Sequence, residues 1–96
     1  MTPDEAYIDR QLQRLQGWAL DSAPPSIHKT WTFDRFEAAV SFFNQVAQLA
    51  ILHDHHPEIW SSYTRLRIRL WTHDAAGLTD KDFALAEAID RIRSSS

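Results

Sequence analysis

Residues 55–73 read HHPEIWSSYTRLRIRLWTH. The alternation in the second half is strict. Leu66, Ile68 and Leu70 point one way, and Arg65, Arg67, Arg69 and Trp71 point the other, the period-two pattern of a half-buried strand. The aliphatic side is expected to meet helices and the arginine side to face water or a partner. Ile59 to Thr64 reads as the strand before it, so that Ile59–Thr64 and Arg65–Thr72 form a pair. Two histidines open the stretch, His55 and His56, and a third, His73, closes it. Histidine is the side chain whose unperturbed pKa lies between pH 5 and 8. Adjacent imidazoles met by a third from another segment can protonate one atom and deprotonate another near neutrality.

Working upstream, Phe36, Ala39, Val40, Phe43, Val46, Ala47, Ala50 and Ile51 form an apolar stripe at helical spacing. Asp34 and Glu37 have the spacing of a capping box. Pro57 disfavours helix just before it, so this helix is expected to end near His53. Phe33, Phe36 and Phe43 are expected in the core. Two short strands, Trp18–Asp21 and Ile27–Thr32, flank Pro24-Pro25, which cannot donate to a ladder and reads as their loop. On the second, Ile27, Lys29 and Trp31 share a face opposite His28, Thr30 and Thr32. A first helix is signalled by Thr2, Pro3, Asp4 and Glu5, with Ile8, Leu12 and Leu15 on one side and Gly17 as its stop.

Downstream, Gly77 marks a turn and Thr79 caps a last helix with Asp82 three residues on. Leu85, Ala86, Ile89 and Ile92 supply its buried face, and Ser94–Ser96 are expected to fray. The order is αββαββα. Short loops between paired strands favour an antiparallel sheet, here four-stranded with the helices packed on one face, an α+β fold.

The chain has 96 residues, 44% hydrophobic and 24% charged, and reads as one domain, 1–96. Its net charge of −3 argues against a nucleic-acid partner held by phosphate neutralisation. There is no cysteine, hence no disulfide, thiolate metal site or cysteine nucleophile. No apolar run approaches a membrane span and no signal peptide is visible, so a cytoplasmic protein is expected. Four tryptophans suggest aromatic-rich packing or an interface.

The run His55-His56-Pro57, then Tyr63, Thr72-His73, Gly77-Leu78-Thr79 and Asp82, resembles the pterin-4a-carbinolamine dehydratases. Gly17-Trp18, Phe33-Asp34-Arg35-Phe36 and Val46-Ala47 extend the resemblance from about residue 10 to residue 92. It implies a four-stranded antiparallel sheet with helices on one side, assembled as a homodimer or homotetramer. It implies an enzyme that dehydrates a 4a-hydroxytetrahydropterin to the quinonoid dihydropterin, recycling the cofactor of aromatic amino-acid hydroxylases with no metal or organic cofactor of its own. The catalytic roles then fall to His55, His56 and His73. His55 and His73 are the expected acid–base pair, His56 a positioning group, and Pro57 and Asp82 substrate-binding neighbours. Asp82 also has the plainer reading of an N3 capping residue with Thr79.

One departure stands out. Four residues before the first histidine the family usually carries an acidic or polar residue, and this chain has Ile51. A carboxylate there can orient a histidine or raise its pKa; isoleucine does neither. Ile51 also continues the stripe from Ala47 and reads equally as core. Together with the face formed by Arg65, Arg67, Arg69 and Trp71, a surface rich in hot-spot residue types, it motivates a second reading. In that reading the chain is a dehydratase-like protein that binds a protein partner, resembling assembly factors for RuBisCO in carboxysome-containing bacteria. A metal site built from His53, Asp54, His55, His56 and His73 is a third reading, without a recognised zinc spacing.

Overall fold

A computed structural model describes residues 5–22, 24–75 and 77–95. The elements run α1 (Glu5–Arg14), β1 (Ala19–Ser22), β2 (Pro25–Thr32), α2 (Phe36–Leu52), β3 (Glu58–Ser62), β4 (Arg65–Leu70), a 3₁₀ turn (His73–Ala75) and α3 (Asp80–Ser95). The αββαββα order and the α+β class hold. The strands form one antiparallel sheet in the order β1-β2-β4-β3. The expected caps Thr2, Pro3 and Asp4 lie outside the described residues.

The alternation in β4 sets the layers. Leu66, Ile68 and Leu70 are fully buried, and β2 lays Trp31, Lys29 and Ile27 directly beside them. Phe42, Val46 and Ala50 of α2, Leu85, Ala86 and Ile89 of α3, and Ile8 of α1 complete the same core. Trp31 packs edge-on to Trp18 and against Phe42, with ring centroids 5.7 and 5.0 Å apart. Lys29 is the one charged residue on the helix side of β2. Its ammonium pairs with Asp90 of α3 at 2.9 Å, and the Trp18 indole N–H donates to the same carboxylate oxygen at 3.1 Å. A half-buried cation is stabilised by such a partner.

Several boundaries and faces differ from the sequence reading. The N-cap of α2 is Arg35, extended and without a side-chain cap bond, so Asp34 and Glu37 do not form a capping box. The buried face of α2 is Ala39, Phe42, Val46 and Ala50, while Phe36, Val40, Phe43 and Ile51 are exposed. Ala39, Val46 and Ala50 of the expected stripe are buried, and Phe42 takes the place expected for Phe43, because the two are adjacent and periodicity fits either. Phe36 instead stacks on Tyr63 of the β3–β4 turn. The strands β1 and β3 are shifted by one or two residues, α1 ends at Arg14 ahead of Gly17, and Pro25 opens β2. Strand β4 ends at Leu70, and helix α3 runs on through Ser94 to Ser95.

Candidate active site

The C-terminus of α2 aims the first two histidines. The Asp54 N–H donates to the Ile51 carbonyl at 3.1 Å, the His55 N–H to the Ala50 carbonyl at 3.1 Å, and Asp54 takes the left-handed conformation, φ 48°. This is a Schellman motif, which satisfies orphan carbonyls and reverses the chain. Asp is among the few residues besides glycine that tolerate the left-handed region. The reversal sends His55 inward, where it is buried, and leaves His56 exposed.

The third histidine comes from beyond β4. Thr72 and Gly77 bridge through a 2.7 Å bond from the Thr72 N–H to the Gly77 carbonyl. The bridge pins the 3₁₀ turn that carries His73. The His73 ring stacks on Trp71, centroids 4.5 Å apart, and Trp71 in turn lies under the Arg69 guanidinium.

Asp82 joins the parts. It is fully buried in the first turn of α3. One carboxylate oxygen lies 2.5 Å from His55 Nε2. The other accepts from the Thr72 hydroxyl at 2.8 Å and from the Thr79 N–H at 2.9 Å. The Thr79 hydroxyl bonds that of Thr72 at 2.7 Å and accepts from the Lys81 N–H. Asp82 is thus the N3 residue of a capping box and the histidine's partner at once. As a carboxylate it accepts every one of these bonds, which places a proton on His55 Nε2 and leaves Nδ1 as that ring's free nitrogen.

A cavity of about 450 Å³ is lined by Asp54, His55, His56, Thr72, His73, Asp74 and Lys81. It brings together all three histidines picked out in the sequence. Pro57 is half-buried and is not among the lining residues; Asp82 lies beneath His55, bonded to that ring. Arg65, Arg67 and Arg69 lie on the opposite, helix-free face of the sheet, and Trp71 lies between Arg69 and His73. Ile51 is 66% exposed and lines no part of the cavity, so it is not core. Sequence reasoning missed Thr72 as a carboxylate donor and Lys81 as a lining cation. The capping pair Thr79–Asp82 was the available signal, because whatever follows the cap residue sits at the same helix end. Among the described residues no three His, Asp or Glu side chains are gathered closely enough to hold a metal ion. Nor, among those residues, is any helix long and apolar enough to cross a membrane.

A histidine pair at a helix end, a third on a pinned turn, and a buried carboxylate behind them are gathered on a small α+β scaffold. Comparison with known proteins places it further. The family model for pterin 4 alpha carbinolamine dehydratase matches residues 1–92. A Rhodospirillum rubrum protein named for that activity is 45% identical over 89 residues, covering 93% of each chain. One from Chloroflexus aurantiacus is 48% identical over 88 residues, covering 92% of each. Among solved structures, a transcriptional coactivator/pterin dehydratase from Brucella melitensis superposes with a TM-score of 0.91 at 30% identity, covering 96% of this chain and 98% of its own. A pterin dehydratase-like RuBisCO assembly factor of the alpha-carboxysome shares the fold at a TM-score of 0.72 and 23% identity, over 84% of this chain and 94% of its own. The chain belongs to the pterin-4a-carbinolamine dehydratase family, whose namesakes are hydro-lyases.

Proposed function

We propose that the chain is a cytoplasmic dehydratase that converts 4a-hydroxytetrahydropterin to quinonoid dihydropterin and water. The observation that carries this reading is the convergence of His55, His56 and His73 on one cavity, with His55 held by a buried carboxylate. In the reaction the C4a–O bond breaks, a proton goes to the departing hydroxyl, and a proton leaves a ring nitrogen. Acid and base stand at separate points of the substrate, so the two proton transfers call for two imidazoles held apart. His55 and His73 come from different elements and meet that need. Exposed His56 stands beside them to position the heterocycle.

Asp82 has two effects on this chemistry. It fixes the tautomer and orientation of His55, as an orienting carboxylate does for a catalytic imidazole elsewhere. It also faces any positive charge that develops on that ring. Ile51 therefore deprives His55 of nothing: the orienting carboxylate comes from α3. Each positioned proton transfer contributes about 10² to 10⁴-fold.

The test is the spectroscopic decay of freshly generated 4a-hydroxytetrahydropterin. The folded protein is expected to accelerate it well above buffer; a decay equal to buffer rejects the proposal. The second reading, a protein-binding assembly factor on the same scaffold, draws support from Arg65 and Arg67 on the open sheet face, which have no ion-pair partner among the described residues. It predicts a partner captured from host lysate that is lost with Arg67→Glu and retained when the histidines are replaced.

A further inference from the structure

The helix-free face of the sheet carries a groove of about 330 Å³ lined by Thr30, Glu58, Trp60, Arg65, Arg67 and Arg69. Register explains it. Along β4 the three arginines recur at every second residue, their backbone positions about 6.8 Å apart for an antiparallel strand. Across the ladder Glu58 lies opposite Arg69 and Trp60 opposite Arg67. Arg69 is already committed: its Nε–H donates to the Ser26 hydroxyl at 2.9 Å and its guanidinium covers Trp71. Arg65 and Arg67 have neither an ion-pair nor a hydrogen-bond partner among the described residues, and Trp60 is 53% exposed beside them.

We propose that this groove docks an extended acidic segment of another protein, with carboxylates at alternate positions meeting Arg65 and Arg67 and an apolar side chain resting on Trp60. The spacing argues for it, since side chains at i and i+2 of an extended peptide share a face and repeat at the rise of β4 itself. Guanidinium forks take carboxylates bidentately, and Arg and Trp are the residue types that dominate binding energy at interfaces. A lone small anion engages one guanidinium and leaves Trp60 in water. A polyphosphate meets the Glu58 carboxylate inside the groove and a chain of net charge −3. A second copy of this chain does not supply the segment: Asp80 and Asp82 are its one acidic pair at alternate positions, and Asp82 is fully buried. The groove is separate from the histidine cavity, so this docking stands or falls independently of the dehydration chemistry.

The experiment titrates the full chain into a short fluorescein-labelled peptide of alternating glutamate and threonine, read by fluorescence anisotropy. A peptide of the same composition with its glutamates contiguous, and a labelled oligothymidylate, run alongside. The alternating peptide is expected to bind tightest, with Arg67→Ala and Arg65→Ala each weakening it about tenfold. Arg67→Lys, which keeps the charge and loses the fork, is expected to fall between. Circular dichroism identifies the variants that are folded, and dehydration by them is expected to be unchanged. Equal binding of the two peptides, tighter binding of oligothymidylate, or folded Arg67→Lys and Arg65→Ala proteins that bind like wild type would each overturn the proposal. So would a dimer, seen by light scattering, that these same substitutions dissolve, because the groove would then be a contact between copies.

Discussion

Asp82 is the side chain at which helix capping and the proposed chemistry meet. Its two oxygens cap α3, hold Thr72 and orient His55. Replacing Asp82 with Asn keeps the size and removes the charge-assisted bonds. The amide can also present a donor to His55 Nε2, which favours the other tautomer. Asp82→Asn is expected to lower kcat/KM for dehydration about 10 to 100-fold, as loss of an orienting partner does at metal-bound histidines. Thermal unfolding should show a further loss of about 1–3 kcal/mol from groups left unsatisfied in the interior. Ile51 sits at the other extreme. It is exposed and away from the cavity, so Ile51→Glu should alter kcat/KM by less than about threefold, the scale of ordinary surface substitutions. A variant that turns over when the wild type does not would show that a carboxylate at this position is indispensable.

At the scale of elements, the legible parts were those where a pattern had one reading. The alternation of β4 fixed both faces of the sheet, because a one-residue slip would bury Arg65, Arg67 and Arg69. Thr79 and Asp82 announced the start of α3 through a local hydrogen-bond motif. Helix α2 was legible as a helix, and its face was legible in Ala39, Val46 and Ala50 but not at Phe42. Phe42 and Phe43 are both apolar, and the decision between them was made by the sheet it packs on. The consequence is testable: Phe42→Ala is expected to cost about 3–5 kcal/mol by denaturant unfolding, and Phe43→Ala under about 1 kcal/mol in the monomeric chain. The Schellman turn at Asp54 was not legible either, since no glycine marks it. Its effect on His55 and His56, one inward and one outward, is a backbone property that side-chain pattern does not report.

At the scale of the molecule, one sheet divides two kinds of surface. The helix side is closed by the core, and the outer surface of α2 remains apolar, with Phe36, Val40, Phe43, Ile51 and Leu52 exposed. The sheet also ends in the unpaired edges of β1 and β3. Exposed apolar rows and open strand edges both invite a second copy, and we expect a homodimer or a homotetramer. Light scattering at micromolar concentration checks it, and a monomer mass would contradict it. The histidines were legible as a set because they flank the strands that also define the fold. Their meeting in space was not, since it depends on where the 3₁₀ turn after β4 is pinned by Thr72 and Gly77.

The proposed dehydration requires these three rings to act on one substrate. It is tested most directly by kcat/KM for dehydration of 4a-hydroxytetrahydropterin, measured for wild type beside folded His55→Ala and His73→Ala proteins. Turnover by the wild type and a fall of about 10² to 10⁴-fold in each variant are expected. Wild-type decay no faster than buffer, or variants as active as wild type, would contradict it.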